Sequence, residues 1–209
     1  VTKSISGPEL AEAVERVHRV ETDIDGERTD VDALVGVPAP QVVLLNDGDL
    51  TYTKVRLDAR SLETALAHLK DLADPLARTL LWGAAWDAVR DGEASAAWFA
   101  DLILANIGHE QDSSVVQTLL RQLATSLGQY LPEEQSTAAR AAVADRLWGL
   151  VAGAEDGSDS QLQFVKAFAL HARTAAQLDR LAGVVDGTHT VPGLDLTTDL
   201  RWELLTALV

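Results

Sequence analysis

From Asp58 to the last residue, apolar side chains recur at steps of three and four, and before Asp58 they do not. That period commits most of the chain to amphipathic helices. Leu62, Leu66 and Leu69 form the first stripe. Asp74 before Pro75 reads as an N-cap followed by proline at the first helical position, opening a helix that runs to about Arg90. Ser95 opens the next, with Phe99, Leu102, Ile103 and Ile107 facing inward. Ser114 opens a long one carrying Val116, Leu119, Leu120, Leu123, Leu127 and Tyr130. Pro132 starts a helix through Ala139, Val143, Leu147 and Val151 to Gly153, and segments at 160–172, 174–185 and 198–209 complete the set. Short polar breaks between such segments imply successive antiparallel hairpins, which bury their stripes by stacking on neighbours. The alanine content, with no segment apolar all round, favours an armadillo- or HEAT-like solenoid over a closed bundle, without any strict repeat.

The first 57 residues have a different grammar. Short β-branched runs at 17–24, 28–35, 41–45 and 50–57 alternate with turn residues at Asp25-Gly26, at Gly36 with Pro38 and Pro40, and at Asn46 to Asp49. They predict a small antiparallel β region in which Val20, Thr22 and Ile24 share one face, as do Thr53, Val55 and Leu57. Residues 9–17 stay open between helix and strand, because Leu10, Ala13, Val14 and Val17 also fit a helical stripe. The expected fold is therefore mainly α, with a small β portion over 1–57 and a helical domain over 58–209.

Composition narrows the function. Acidic residues number 32 against 17 Lys and Arg, a formal charge of −15, which disfavours contact with nucleic-acid phosphates or anionic lipid. With no cysteine there is no disulfide, thiolate metal site or thiol nucleophile. The chain has no methionine, opens on Val1 and closes on an apolar stripe of Leu200, Leu204 and Leu208, so a piece of a longer polypeptide is expected. Neither a membrane-spanning apolar run nor a signal leader is visible, and a cytoplasmic location is the working expectation.

Several motifs imitate chemistry. His109-Glu110 begins like a zincin helix, but position 113, where the second imidazole belongs, is Ser, and the segment follows Gly108 at a helix end. Glu21, Asp23, Asp25 and Gly26 mimic half of a calcium loop with Asp32 at its twelfth place. Arg28 stands where an inward apolar residue is needed, and a hairpin turn at Asp25-Gly26 explains the same residues. His18, His68, His171 and His189 are scattered, and no phosphate-cradling loop, nucleophile elbow or acid–base pair appears. No catalytic or metal-binding residue is assigned. Trp82 and Trp86, one turn apart, read as indoles packed between hairpins or as an aromatic surface for another domain or a peptide. Trp202 beside Arg201 raises the same choice.

Leu44 to Asp58 (LLNDGDLTYTKVRLD), Arg78 to Asp91 (RTLLWGAAWDAVRD), Gly193 to Trp202 (GLDLTTDLRW) and Gly26 to Gly36 (GERTDVDALVG) resemble, in order and spacing, the C-terminal region of the zinc aminopeptidase N family in its actinobacterial form. The resemblance implies that residues 1–57 are part of a β-sandwich domain and 58–209 a helical C-terminal domain cut short at its end. It also implies that the zinc cofactor and the catalytic residues belong to a domain outside this region, and that the helical domain arches over that catalytic domain, closing a peptide-substrate cavity. Arg78, Arg90, Arg121 and Arg201 become candidates for interdomain contacts or peptide-carboxylate recognition, since guanidinium groups suit carboxylates. The competing expectation is a free-standing helical-repeat scaffold binding a basic partner; an independent hydrolase would need a site that the residues do not supply.

Overall fold

A computed structural model of the chain describes residues 2–4 and 15–209. It contains two compact units, 1–91 and 92–209.

In the first unit, β1 (Thr2–Ser4), β2 (Glu15–His18) and β3 (Val42–Val43) make an antiparallel sheet in the order β2-β1-β3, with Lys3 opposite Arg16 and Thr2 opposite Val43. Two helices follow, α1 (Ala59–His68) and α2 (Pro75–Arg90). Asp58 caps α1 by accepting from the Arg60 and Ser61 amides, and Asp74 caps α2 with Pro75 at its first turn. The Ser61 hydroxyl accepts from the Val43 amide at 2.8 Å, tying β3 to α1. Val42, Leu44, Val55, Leu69, Leu72, Leu81 and Trp82 are buried. Trp82 is buried and Trp86, one turn on, is half-buried.

The β-rich reading of residues 17–57 needs correction. Among the described residues there is one sheet of short strands and no second sheet facing it. Residues 19–41 hold only a 3₁₀ turn at Asp32–Leu34, and no strand forms over 50–57. Side chains take the backbone groups that a ladder needs. Asn46 donates from Nδ2 to the Thr51 carbonyl at 2.8 Å and accepts from the Thr51 amide at 2.9 Å; the Thr29 hydroxyl likewise accepts from the Asp25 amide at 3.0 Å and donates to its carbonyl at 3.1 Å. Pro38 and Pro40 have no N–H to offer. Ile24, on the face expected to be shared with Val20 and Thr22, is 76 % exposed. The open question at residues 9–17 falls mostly outside the described residues; its last three positions are strand β2.

The second unit is helical: α3 (Ala96–Asn106), α4 (Ser113–Gln129), α5 (Glu133–Gly153), α6 (Asp159–His171), α7 (Ala175–Asp186) and α8 (Thr198–Thr206). Ser95, Asp112, Ser158, Thr174 and Thr197 each accept an amide of the first turn. Two of these caps lie two residues before the openings read at Ser114 and Ser160, because Asp112 and Ser158 have the acceptors placed to serve the orphan amides. Helices pack on the next in sequence and on the next but one: α3 on α4 and α5, α4 on α5 and α6, α6 on α5 and α8. Phe99, Ile103, Ile107, Val116, Leu119, Leu123, Leu127, Leu147, Phe164, Phe168, Leu181 and Leu204 fill the core. Tyr130, read as the end of the α4 stripe, is the helix C-cap and is 43 % exposed.

One close approach depends on glycine. A Cβ on Gly193 would fall 2.3 Å from the Gly157 nitrogen, and both glycines have φ of +74°. The loops after α5 and before α8 therefore pack backbone to backbone.

Candidate functional site

The polar centre of the second unit lies where α4, α5, α6 and α7 end or begin. Arg140, in the second turn of α5, is held on three sides. Its Nη1 donates to His171 Nδ1 at 3.2 Å, its Nε donates to the Ser136 hydroxyl at 3.3 Å, and its Nη2 presses on Gly128, where a Cβ would come within 2.8 Å. The Ser136 hydroxyl donates in turn to the Leu127 carbonyl at 2.7 Å, in the last turn of α4. His171 is the last residue of α6 and fully buried. Because a guanidinium can only donate, Nδ1 of His171 is the acceptor and the ring proton sits on Nε2, which has no hydrogen-bond partner. Burial first, then the charges of Arg140 and Arg173, push the imidazolium down to about 3, so the ring is neutral at pH 7. Burial and the Arg173 charge also lower the Arg140 value.

Arg173 stands between the α6 C-cap and the α7 N-cap, with Nη1 donating to the Ala172 carbonyl at 2.6 Å. Thr174 and Gln177 form a reciprocal capping box. The buried Gln177 also accepts from the Arg173 amide at 2.9 Å and donates from Nε2 to the Ala141 carbonyl and to Asp145 Oδ1, both at 2.8 Å. One side chain thus joins α5, the α6–α7 turn and α7.

The four arginines expected from sequence have separate surroundings. Arg78, half-buried on α2, donates to the Leu72 carbonyl at 2.5 Å and the Ala73 carbonyl at 3.4 Å, closing the turn before its own helix. Arg90, exposed on the same helix, lies 3.9 Å from Asp87. Twelve residues of helix separate the two, about 18 Å along the axis and a third of a turn around it. Arg121 on α4 and Arg201 on α8 are exposed. Arg140, His171 and Arg173 were not singled out as a group, since residues 31 positions apart reveal their proximity only through packing.

His109 and Glu110 line an open cavity of about 680 Å³ at the ends of α3 and α5 and the start of α6, with Glu155, Asp159 and Phe164. His109 closes a 3₁₀ turn, Ile107–His109. No group of three or more His, Asp or Glu among the described residues is placed to hold a metal ion. The Asp25-Gly26 turn is closed by Thr29, and the hairpin expected there has no flanking strands. No helix among the described residues is long and apolar enough to cross a membrane.

The second unit is a set of helices, most with capped N-termini, that pack on near neighbours in sequence. Residues 42–209 match the family model of the ERAP1-like C-terminal domain, and the chain belongs to that family. It is 44 % identical over 190 residues to Aminopeptidase N of Streptomyces lividans, an alignment covering 91 % of this chain and 22 % of that protein. The chain thus spans about a fifth of the length of the curated relative it matches.

Proposed function

We propose that this chain is the non-catalytic C-terminal region of a zinc-dependent aminopeptidase N, an enzyme that removes N-terminal amino acids from peptides, and that it shapes and gates the substrate cavity. The observation that carries the reading is the 44 % identity to an aminopeptidase N across 91 % of the chain, within the ERAP1-like C-terminal domain family. In this reading, residues 58–209 form a helical C-terminal domain stacked as an armadillo/HEAT-like solenoid, and residues 1–57 belong to the domain before it. The contacts of α3 with α5, α4 with α6 and α6 with α8 support stacking. The partner is the catalytic domain of the same polypeptide, which holds the zinc. The substrate is a peptide and the compartment the cytoplasm. Arg78, Arg90, Arg121 and Arg201 meet the catalytic domain or peptide carboxylates.

Incubating the purified 209-residue chain with an aminoacyl p-nitroanilide and added zinc tests the division of labour. No turnover above the buffer rate is expected. Hydrolysis that co-purifies with the chain and disappears with a chelator overturns it. Gating has a separate readout: in the whole enzyme, exchanging this region for that of a relative should alter the rate ratio between a long peptide and a small reporter. An unchanged ratio removes the gating role.

A further inference from the structure

We propose that the chain modifies itself at Asp25-Gly26: the Asp25 side chain closes on the Gly26 nitrogen to a succinimide that reopens to an isoaspartyl linkage, and the Thr29 hydroxyl promotes the reaction. The site is argued from hydrogen bonding and exposure and does not depend on the aminopeptidase reading.

An Asp-Gly step is open to this closure because glycine has no Cβ to shield its nitrogen. The chain has five such steps, beginning at Asp25, Asp47, Asp91, Asp156 and Asp186, and no Asn-Gly. In four of them the fold occupies a reacting group. Asp47 is buried and paired with Arg16 at 3.0 Å. The Asp91 carboxylate accepts from Lys54 at 2.9 Å and from Arg56. Asp186 Oδ1 accepts from the Thr188 amide at 2.8 Å and from its hydroxyl at 2.6 Å. At Asp156 the nitrogen is engaged instead: the Gly157 amide donates to Gln161 Oε1 at 2.9 Å, against the Gly193 backbone.

Asp25-Gly26 differs on each count. Both residues are exposed, and among the described residues no hydrogen bond or ion pair reaches the Asp25 carboxylate or the Gly26 nitrogen. Arg28, the adjacent cation in sequence, is taken by Asp30, with its Nε at 2.9 Å and Nη2 at 2.8 Å from Oδ1. Space is open as well: a Cβ on Gly26, where φ is +68°, would meet nothing within 4 Å. The turn adds polarisation. The Thr29 hydroxyl accepts from the Asp25 amide at 3.0 Å and donates to the Asp25 carbonyl at 3.1 Å. That carbonyl shares its peptide group with the Gly26 nitrogen, so a donor on its oxygen stabilises the negative charge that forms when the N–H ionises.

Water is the only co-reactant. The deprotonated Gly26 nitrogen attacks Cγ of the protonated Asp25 carboxyl; an N–Cγ bond forms, the Cγ–OH bond breaks, and the hydroxide leaves as water with the proton given up by nitrogen. Water then adds to either imide carbonyl. Breaking the N–Cγ bond restores aspartate. Breaking the bond between nitrogen and the main-chain carbonyl carbon of Asp25 leaves the chain running through Cγ, with a free carboxylate on Cα. Thr29 donates to that main-chain carbonyl and so favours the second opening. The product lengthens the backbone by one carbon, and residues 19–41 hold a 3₁₀ turn and no strand, so no sheet ladder opposes it.

The 209-residue chain is kept warm at neutral pH for several weeks, sampled, digested and read by electron-transfer fragmentation, which breaks the Cα–Cβ bond of isoaspartate and so tells it from aspartate of equal mass. Isoaspartate is expected first and most at residue 25, after a transient species lighter by one water. The same incubation in urea frees all five steps, and the preference for residue 25 should narrow there. Thr29→Val, which keeps the branched shape and removes the hydroxyl, should slow accumulation at residue 25 in the folded chain about threefold. The proposal is overturned by no isoaspartate at residue 25 in the folded chain, or by an equal or greater amount at any of the other four steps. A preference undiminished in urea, or Thr29→Val accumulating isoaspartate at the parent's rate or faster, overturns it too.

Discussion

His171 shows how one buried side chain acquires a measurable signature. Its imidazole is neutral because burial and two neighbouring arginine charges oppose protonation, whereas in the unfolded chain it titrates near its ordinary value of 6.5. The folded value is depressed, and the group is a base, so the unfolded state binds the extra proton between about 6.5 and about 3. Stability is therefore fully present above pH 6.5 and is lost as the pH falls through that window, by roughly 1 kcal/mol per pH unit. Asp58, held low by the Ser61 hydroxyl, and Asp91, held low by Lys54 and then Arg56, add losses only below the ordinary carboxylate range. The interval from about pH 6 to pH 4.5 thus isolates the histidine's contribution. Urea unfolding of the parent and of His171→Gln at several pH values should give a steeper decline for the parent, and parallel lines would contradict the assignment.

At the scale of elements, helix ends carry more of the organisation than helix middles. Asp58, Asp74, Ser95 and Thr174 were legible as starts because their acceptors precede an apolar stripe, and each accepts first-turn amides in the structure. The tertiary use of such a cap was not legible. Gln177 completes the α7 capping box and also reaches Ala141 and Asp145 on α5, so Gln177→Ala removes a cap and two bonds between helices together. We expect a loss of about 2–3 kcal/mol, measured by chemical denaturation, against about 1 kcal/mol for Ser95→Ala, which removes a cap bond to the Trp98 amide. Equal losses would mean that the bonds to α5 contribute nothing. The β region failed as a reading for a related reason. Alternating residues at 50–57 satisfy the period of a strand, but Asn46 captures the Thr51 peptide, and no neighbouring strand completes a ladder there.

For the molecule as a whole, a net charge of −15 opposes compaction. Raising sodium chloride from about 20 to about 200 mM at pH 7 shortens the screening length and should raise the melting temperature by a few degrees. A fall in melting temperature across that range would show that specific ion pairs, such as Lys166 with Glu203 at 2.7 Å or Arg146 with Asp101, outweigh the general repulsion.

The order of residues by itself determined where helices begin, which stripes are buried, and that acidic surface rather than basic surface dominates, because these follow from local periodicity, capping chemistry and charge counting. It also held the family resemblance, since aligned residues need no fold to be compared. Only the tertiary structure decided that Arg140 meets His171, that Gly157 and Gly193 touch, and that the strand-like runs before Asp58 pair so little. Each of those outcomes depends on which distant backbone arrives to complete a contact, and spacing along the chain does not encode that.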